Sequence, residues 1–269
     1  MLSSQVAFDY LYSMLRLERS KYLGNNVHSF STAGLTVSET IYHQKVFEGW
    51  HYHENHHITL ILRGGNREQR KQQEIIAAPG AVLRYNEGEL HRNMHTQHPS
   101  RNINLEIEGS FLARHQLQFT DLQHSPGLKL SLLKIYKESR LADAASVTSI
   151  EASLLHLFSP RTSKNTPPWI IQLRNLLHDR WNESLSLDEL SAQLNVHPVT
   201  ISKYFPRYFS CTLGEYLRKL RIEKAVDLMQ QEQMSLTELA YHCGFFDQSH
   251  FIRAFKLYTG FRPKEFLAG

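Results

Sequence analysis

Residues 186–205, SLDELSAQLNVHPVTISKYF, and residues 235–255, SLTELAYHCGFFDQSHFIRAF, are two versions of one pattern, the second longer by one residue. Each opens on Ser-Leu-x-Glu-Leu, in which the serine hydroxyl and the glutamate three residues on can satisfy each other's backbone N–H groups and start a helix. Each places a small residue, Ser191 or Ala240, where a second helix must cross closely. Each then turns, at Asn195 or Gly244, into a helix carrying an apolar i, i+4 pair, Ile201 with Phe205 and Phe251 with Phe255. One helix, turn, helix segment occurs in many helical proteins by packing alone. Two in one chain predict an all-α domain built on paired helix-turn-helix units. Working outward, helical spacing predicts helices over about 169–180, 187–194, 198–208, 213–230, 236–243 and 248–259.

Charge gives the repeat a partner. The formal net charge of the 269-residue chain is only +4, but it is unevenly placed. Lys203, Arg207, Arg218, Lys219 and Arg221 face Glu215 alone within 197–222, and Arg253, Lys256, Arg262 and Lys264 face Asp247 alone within 247–264. The second helix of a helix-turn-helix unit can lie in the DNA major groove and read base edges from its first turns. Setting aside the buried pairs leaves Val199, Thr200, Ser202, Lys203 and Arg207 on the first such helix, and Gln248, Ser249, His250, Ile252, Arg253 and Lys256 on the second. Gln suits adenine and Arg suits guanine or a phosphate. The helix between the units spans about 27 Å at 1.5 Å per residue, against about 34 Å for one turn of DNA. One chain can therefore offer two reading helices to neighbouring stretches of groove.

The stretch GFFDQSHFIRAFKLYTGFRPKEF (244–266), preceded by YLRKLRIEKA (216–225), resembles the DNA-binding domain of the AraC/XylS family of bacterial transcription regulators. The resemblance covers about 100 residues. It implies base-reading roles for Val199, Ser202, Lys203, Gln248, Ser249 and Arg253. It also implies RNA polymerase as a partner and activation as the sense of control. Two positions depart from the family pattern. Pro206 stands where a Lys or Arg is usual, and a proline inside a helix removes a hydrogen bond and can kink it; Ser210 stands where Gly is common.

Upstream the pattern changes. SPRTSKNTPP, residues 159–168, has nothing to bury and reads as a linker between a domain over 1–158 and the helical domain over 169–269. Before it, Leu35, Val37 and Ile41, then Ile58, Leu60 and Leu62, then Ile103, Leu105 and Ile107 alternate as antiparallel strands do, with Gly64-Gly65 and Pro79-Gly80 as turns and Arg63 to Lys71 as a solvated charged edge. Helical spacing returns over 128–139 and 147–158, where Thr148 and Glu151 resemble a capping box. The stripe Leu128, Leu132, Ile135 and Tyr136 predicts a homodimer through these helices. The fold class is thus α+β in two domains, a strand-rich barrel with helices followed by an all-α domain.

Of the 16 histidines, seven (51, 53, 56, 57, 91, 95, 98) crowd two short stretches of the strand-rich domain. Gly49 to His57 resembles the first motif of cupin barrels, with His57 where Glu is usual. Gly80 to His91 resembles the second, with Asn86 where Pro is usual and His95 in a customary Asn position. Cupin-like effector domains often precede this type of DNA-binding domain, so the two resemblances agree. Two readings of His51, His53, His57 and His91 stay open: polar lining of a pocket for an organic effector, or an all-imidazole site for a divalent metal that would be lost below about pH 6 as the rings protonate. The second reading also admits a different class of protein, a metal-dependent cupin enzyme with a helical accessory domain. No run of 18 apolar residues and no signal-peptide pattern occurs, and two cysteines cannot make a disulfide framework, which together predict a cytoplasmic protein without a membrane partner.

Overall fold

The computed structural model describes residues 14–122, 127–158, 166–231 and 234–268. It divides into two compact units, with the division falling after residue 122 and again at 134/135 and 153/154. Of the linker read from the sequence, residues 159–165 lie outside the described residues.

In the first unit eight strands form one sheet: β1 (Leu15–Leu17), β2 (Asn25–Thr32), β3 (Leu35–Tyr42), β4 (His51–His53), β5 (His56–Arg70), β6 (Glu74–Ala77), β7 (Val82–Tyr85) and β8 (His91–Ile107). The long strands β5 and β8 pair antiparallel from His56 opposite Ile107 to Arg70 opposite His91. β8 also pairs with β3 and, through His91, with β4, and β5 pairs with β6 and β7. Side chains alternate across these strands. Ile58, Leu60, Ile103, Leu105 and Ile107 are 0–1% exposed and form an apolar layer on one side of the sheet. The other side of the same strands carries His57, Thr59, Asn102 and Asn104, which are also buried.

Three expectations for this unit need correction. Gly64-Gly65 does not turn the chain: β5 runs through it, and the register shifts between Ile61 and Gly65. Gly64 takes φ +79°, and a Cβ there would come within 2.8 Å of Ser100 Cα, so the pair makes a bulge that lets β8 approach. The segment from Arg63 to Lys71 is not simply a solvated edge, because Glu68 within it is fully buried and ion-paired to Arg70 at 2.8 Å. At the first turn of the 146–158 helix the cap is Asp143, whose Oδ1 accepts the N–H groups of Ala145 and Ser146, and Thr148 sits inside the helix. The expected turn at Pro79-Gly80 is present, with Gly80 at φ +87°.

Helices α1 (Gly109–Arg114), α2 (Leu128–Leu141) and α3 (Ser146–Phe158) follow the strands. Leu128, Leu132, Ile135 and Tyr136 are 1–4% exposed, so the stripe that predicted a dimer face is already covered within the chain. Tyr136 and Arg101 both donate to the buried Glu39 carboxylate on β3.

The second unit holds α4 (Pro168–Asp179), α5 (Leu187–Leu194), α6 (Pro198–Phe209), α7 (Leu213–Gln231), α8 (Leu236–His242), α9 (Gln248–Thr259) and α10 (Pro263–Ala268). Both predicted capping boxes are formed: Ser186 with Glu189, and Ser235 with Glu238, each exchanging two hydrogen bonds. Ile201, Phe205, Phe251 and Phe255 are at most 1% exposed, as the i, i+4 reading requires. Ile170, Leu173 and Leu177 of α4 join Leu190, Ile201, Phe205 and Leu220 in one cluster. α6 continues through Pro206 to Phe209. The proline falls in the last turn of a 12-residue helix, where the N–H it lacks removes one late hydrogen bond.

Candidate nucleic-acid interface and effector cavity

The two reading units superpose by a shift of 50 residues, so Val199 matches Ser249, Thr200 matches His250, Ser202 matches Ile252, Lys203 matches Arg253 and Pro206 matches Lys256. Burial follows the same phase. Val199, Ser202, Lys203 and Arg207 are exposed on α6, as are Ser249, Arg253 and Lys256 on α9, while Thr200, Gln248, His250 and Ile252 are half-buried. His250 rests edge-on against Phe245, ring centroids 5.3 Å apart, and Asp247 Oδ1 accepts its backbone N–H at 2.6 Å, which ties this histidine to the helix start. Gln248 Oε1 accepts from Thr237 Oγ1 at 2.6 Å, so α8 aims the Gln248 amide. α7, at 19 residues, separates the units by about 28 Å of helix.

Not every cation of the two basic stretches is available to a partner. Lys219 pairs with Glu215 at 2.7 Å. Arg221 donates Nε to Trp181 O at 3.0 Å, Nη1 to Gly244 O at 2.8 Å and Nη2 to Glu183 O at 2.7 Å, so it braces the turn of the second unit instead of facing a phosphate. Sequence reading missed this role because nothing in local spacing marks a cation that will cap carbonyls 23 and 40 residues away. It also missed Phe246, which is 85% exposed in the turn just before α9.

The histidines of the first unit gather around a narrow cavity that opens to solvent. His51 and His91 are direct cross-strand partners, ring centroids 4.3 Å apart. His53, two residues along β4 and hence on the same side, stacks parallel to His91 at 5.6 Å. A ligand nitrogen from each of these three rings lies within 4.8 Å of the other two. His57 joins the same lining, its ring 4.2 Å from His53 and stacked on Tyr85, its partner across β5 and β7, at 4.3 Å, but its nitrogens fall outside the set of three. His56 is drawn away to Phe119, and His95 and His98 are exposed.

Burial sets the charge state of the cluster. Desolvation, then the neighbouring His91, pushes His51 down to about 4. His91 is likewise held at about 4 by burial, His53 is pushed to about 2 by burial and then by His91 and His51, and His57 lies well below the ordinary imidazole range, again chiefly from burial. The rings stay neutral well below the pH 6 expected from sequence.

The rest of the lining was not read from the sequence: Tyr22, Tyr42, Asn66, Tyr85, Asn93, Asn102 and Asn104. Among the described residues no Asp, Glu, Lys or Arg side chain lines the cavity. Asn104 accepts from Thr59 Oγ1 at 2.8 Å and donates to Thr40 Oγ1 at 3.0 Å, and Asn66 donates to Asn93 at 2.8 Å. Tyr22 Oη, His57 Nδ1 and Asn102 Oδ1 are buried in this lining, within reach of Ser38, Asn55 and Tyr42 respectively but without a hydrogen bond of ordinary geometry among the described residues. Buried polar atoms are normally satisfied, so the lining suits an uncharged ligand rich in hydrogen-bonding groups.

The comparisons with known proteins agree with both halves. The AraC-like ligand binding domain matches residues 32–193, and a helix-turn-helix domain matches residues 190–269. The chain belongs to the AraC family of helix-turn-helix transcription regulators. It is similar to the uncharacterized HTH-type transcriptional regulator YpdC of Escherichia coli (strain K12), 28% identical over 78% of this chain and 81% of that protein. It is also similar to the HTH-type transcriptional activator RhaS of Escherichia coli O157:H7, 23% identical over 81% and 87%. A solved structure of ToxT from Vibrio cholerae matches at 13% identity and a TM-score of 0.38, covering 88% of this chain and 98% of that one. As an AraC-family member the chain is a DNA-binding regulator with a ligand-binding domain and not an enzyme, which sets aside the metal-dependent cupin enzyme. Among the described residues no helix is long and apolar enough to cross a membrane.

Proposed function

We propose that this AraC-family regulator reads promoter DNA with α6 and α9 in neighbouring segments of one major-groove face, under control of an uncharged, polar small molecule held in the first domain. The observation that carries the reading is the matched exposure of Val199, Ser202 and Lys203 on α6 and of Ser249 and Arg253 on α9, opposite pairs of buried aromatic and aliphatic anchors. Arg207 and Lys256 lie further along the two helices, suited to phosphates. Gln248, held by Thr237, suits an adenine edge. His51, His53, His57 and His91 line the effector cavity and offer uncharged donors and acceptors to a hydroxylated or amide-bearing ligand. Labour divides at the 159–168 linker, with effector binding in 1–158 and DNA binding in 169–269.

The sense of control is activation, with RNA polymerase as partner, which the name of the RhaS relative favours. The setting is cytoplasmic, where the DNA and the polymerase are. A homodimer through α2 and α3 is not carried forward, because its apolar stripe is buried.

Salt dependence of DNA binding by the full chain tests the reading. Each phosphate neutralised lowers the slope of log K against log salt by about 0.9, and the exposed Lys203, Arg207, Arg253 and Lys256 predict a steep fall. A duplex recovered by selection from random sequence, placed beside a weak promoter, is expected to raise reporter output when the protein is present. Affinity insensitive to salt, or repression by the protein at every placement of the site, contradicts the proposal.

A further inference from the structure

We propose that Phe246 is a further specificity-determining residue: its ring packs against the 5-methyl group of a thymine, so that the second reading unit selects an A·T pair beside the bases met by α9. The inference rests on the reading of α9 as a recognition helix given above.

The extra residue of the second repeat creates the setting of this side chain. In the first unit a single residue, Val196, lies between the left-handed Asn195 and the N-cap His197, and it packs against the cluster that contains Ile201. In the second unit two residues, Phe245 and Phe246, lie between the left-handed Gly244 and the N-cap Asp247. Phe245 is 3% exposed and meets Phe251, ring centroids 5.4 Å apart, so it supplies the apolar contact that fixes the entry to the helix. Phe246 is left 85% exposed, more than any other large hydrophobic side chain among the described residues.

The backbone on either side of Phe246 is held. Arg221 donates to the Gly244 carbonyl, the Phe245 N–H donates to Ala240 O at 2.9 Å, and Asp247 accepts the N–H of His250. A ring carried on a braced turn loses little freedom when it is covered. Its position says what covers it. The first turns of a recognition helix meet base edges, and Phe246 stands two residues before Gln248, the first residue of α9. The apolar feature of the major groove is the thymine 5-methyl group, which phenylalanine can contact, whereas an uncharged ring offers nothing to a phosphate. Gln248 suits adenine, so the two side chains together favour A·T pairs.

The test uses full-length protein and a duplex recovered by selection from random sequence, with each thymine in turn replaced by uracil, a change that removes only the methyl group. At one position, beside the bases whose preference Arg253→Ala relaxes, the replacement is expected to weaken wild type about fourfold, the effect of uncovering one methyl group. Phe246→Ala should bind the thymine duplex more weakly by at least that factor and lose nothing further with uracil at that position. Its slope of affinity against salt should match wild type, because no phosphate contact is lost, and its melting temperature should be unchanged. Phe246→Tyr keeps the ring and the sensitivity to the methyl group. A flat uracil scan in wild type, or the same scan in wild type and Phe246→Ala, overturns the proposal. So does a Phe246→Ala protein that binds every duplex as wild type does yet no longer raises reporter output, which would assign the ring to a protein partner. Selective DNA binding with a flat scan overturns the role of Phe246 alone; if wild type selects no sequence, the regulatory reading falls with it.

Discussion

Arg221 on α7 donates from Nη1 to the carbonyl oxygen of Gly244 at 2.8 Å, so the helix that separates the two reading units also holds the turn of the second one. Its other nitrogens take the carbonyls of Trp181 and Glu183, so each of the three guanidinium nitrogens donates to a backbone carbonyl. Hydrogen bonds from a charged group contribute about 1.5–3 kcal/mol each when buried partners would otherwise be left bare. Arg221→Ala is expected to cost about 2–4 kcal/mol in a urea titration of the full chain. Arg221→Lys recovers little of it, because an ammonium cannot reach three carbonyls in a plane. Equal stability of wild type and Arg221→Ala would contradict this bracing role.

Ser210 and Gly260 are the matched ends of α6 and α9, and both are left-handed, at φ +56° and +82°. A side chain in that region is strained and glycine is not. Ser210→Gly is therefore predicted to raise stability by about 0.5–1 kcal/mol. Gly244→Ala goes the other way, because at φ +70° its Cβ would meet Asn182 O at 2.3 Å. Melting temperatures of the two variants should move in opposite directions.

Ala240 is completely buried at the middle of α8, and Ser191, its counterpart on α5, is half-buried. Ala240→Leu overpacks this crossing and should cost about 1–3 kcal/mol, with DNA binding falling in parallel. Ser191→Leu is expected to cost less, since part of the added side chain can reach solvent. A larger loss at Ser191 than at Ala240 would show that the tighter crossing is in the first unit.

Glu223 on α7 accepts the N–H of Gly127 at 2.6 Å, and burial of its carboxyl pushes its pKa up to about 7, against 4.5 for a free side chain. The folded state thus holds this proton more tightly than the unfolded chain. The associated stability is fully present below about pH 4.5 and is lost as pH rises through 7. Glu223→Gln removes the dependence. It should match wild type at pH 3.5 and exceed it at pH 8.5 by roughly 1–3 kcal/mol. Parallel stability curves for the two proteins across that range would refute the assignment.

Much of the helical unit was legible because its instructions are local. Ser186 with Glu189 and Ser235 with Glu238 announce helix starts within four residues, and Asn195 and Gly244 mark the turns. The cavity was legible only in part. In β8, Asn102 and Asn104 alternate with Ile103 and Leu105, and the alternation is the same whichever side faces the interior. Only the three-dimensional pairing shows that the polar side encloses a cavity while the apolar side is covered as well. Glu68 reads as solvated because its neighbours Arg67 and Gln69 are polar, yet strand alternation turns it inward to Tyr85. The four histidines do share one lining, but register, and not spacing, sets Tyr85 against His57. Arg221 depends on loops distant in the chain and leaves no local trace.

In the proposed mode of binding, α6 and α9 each read their own block of bases. The direct measurement is selection of duplexes from a random pool by wild type, Lys203→Ala and Arg253→Ala full-length proteins, followed by the base preference at every position. Two blocks about one helical turn apart are expected. Lys203→Ala should relax preference in one block and Arg253→Ala in the other, each by about 1–3 kcal/mol at the affected position. A single block, or two variants with the wild-type preference at every position, would contradict it.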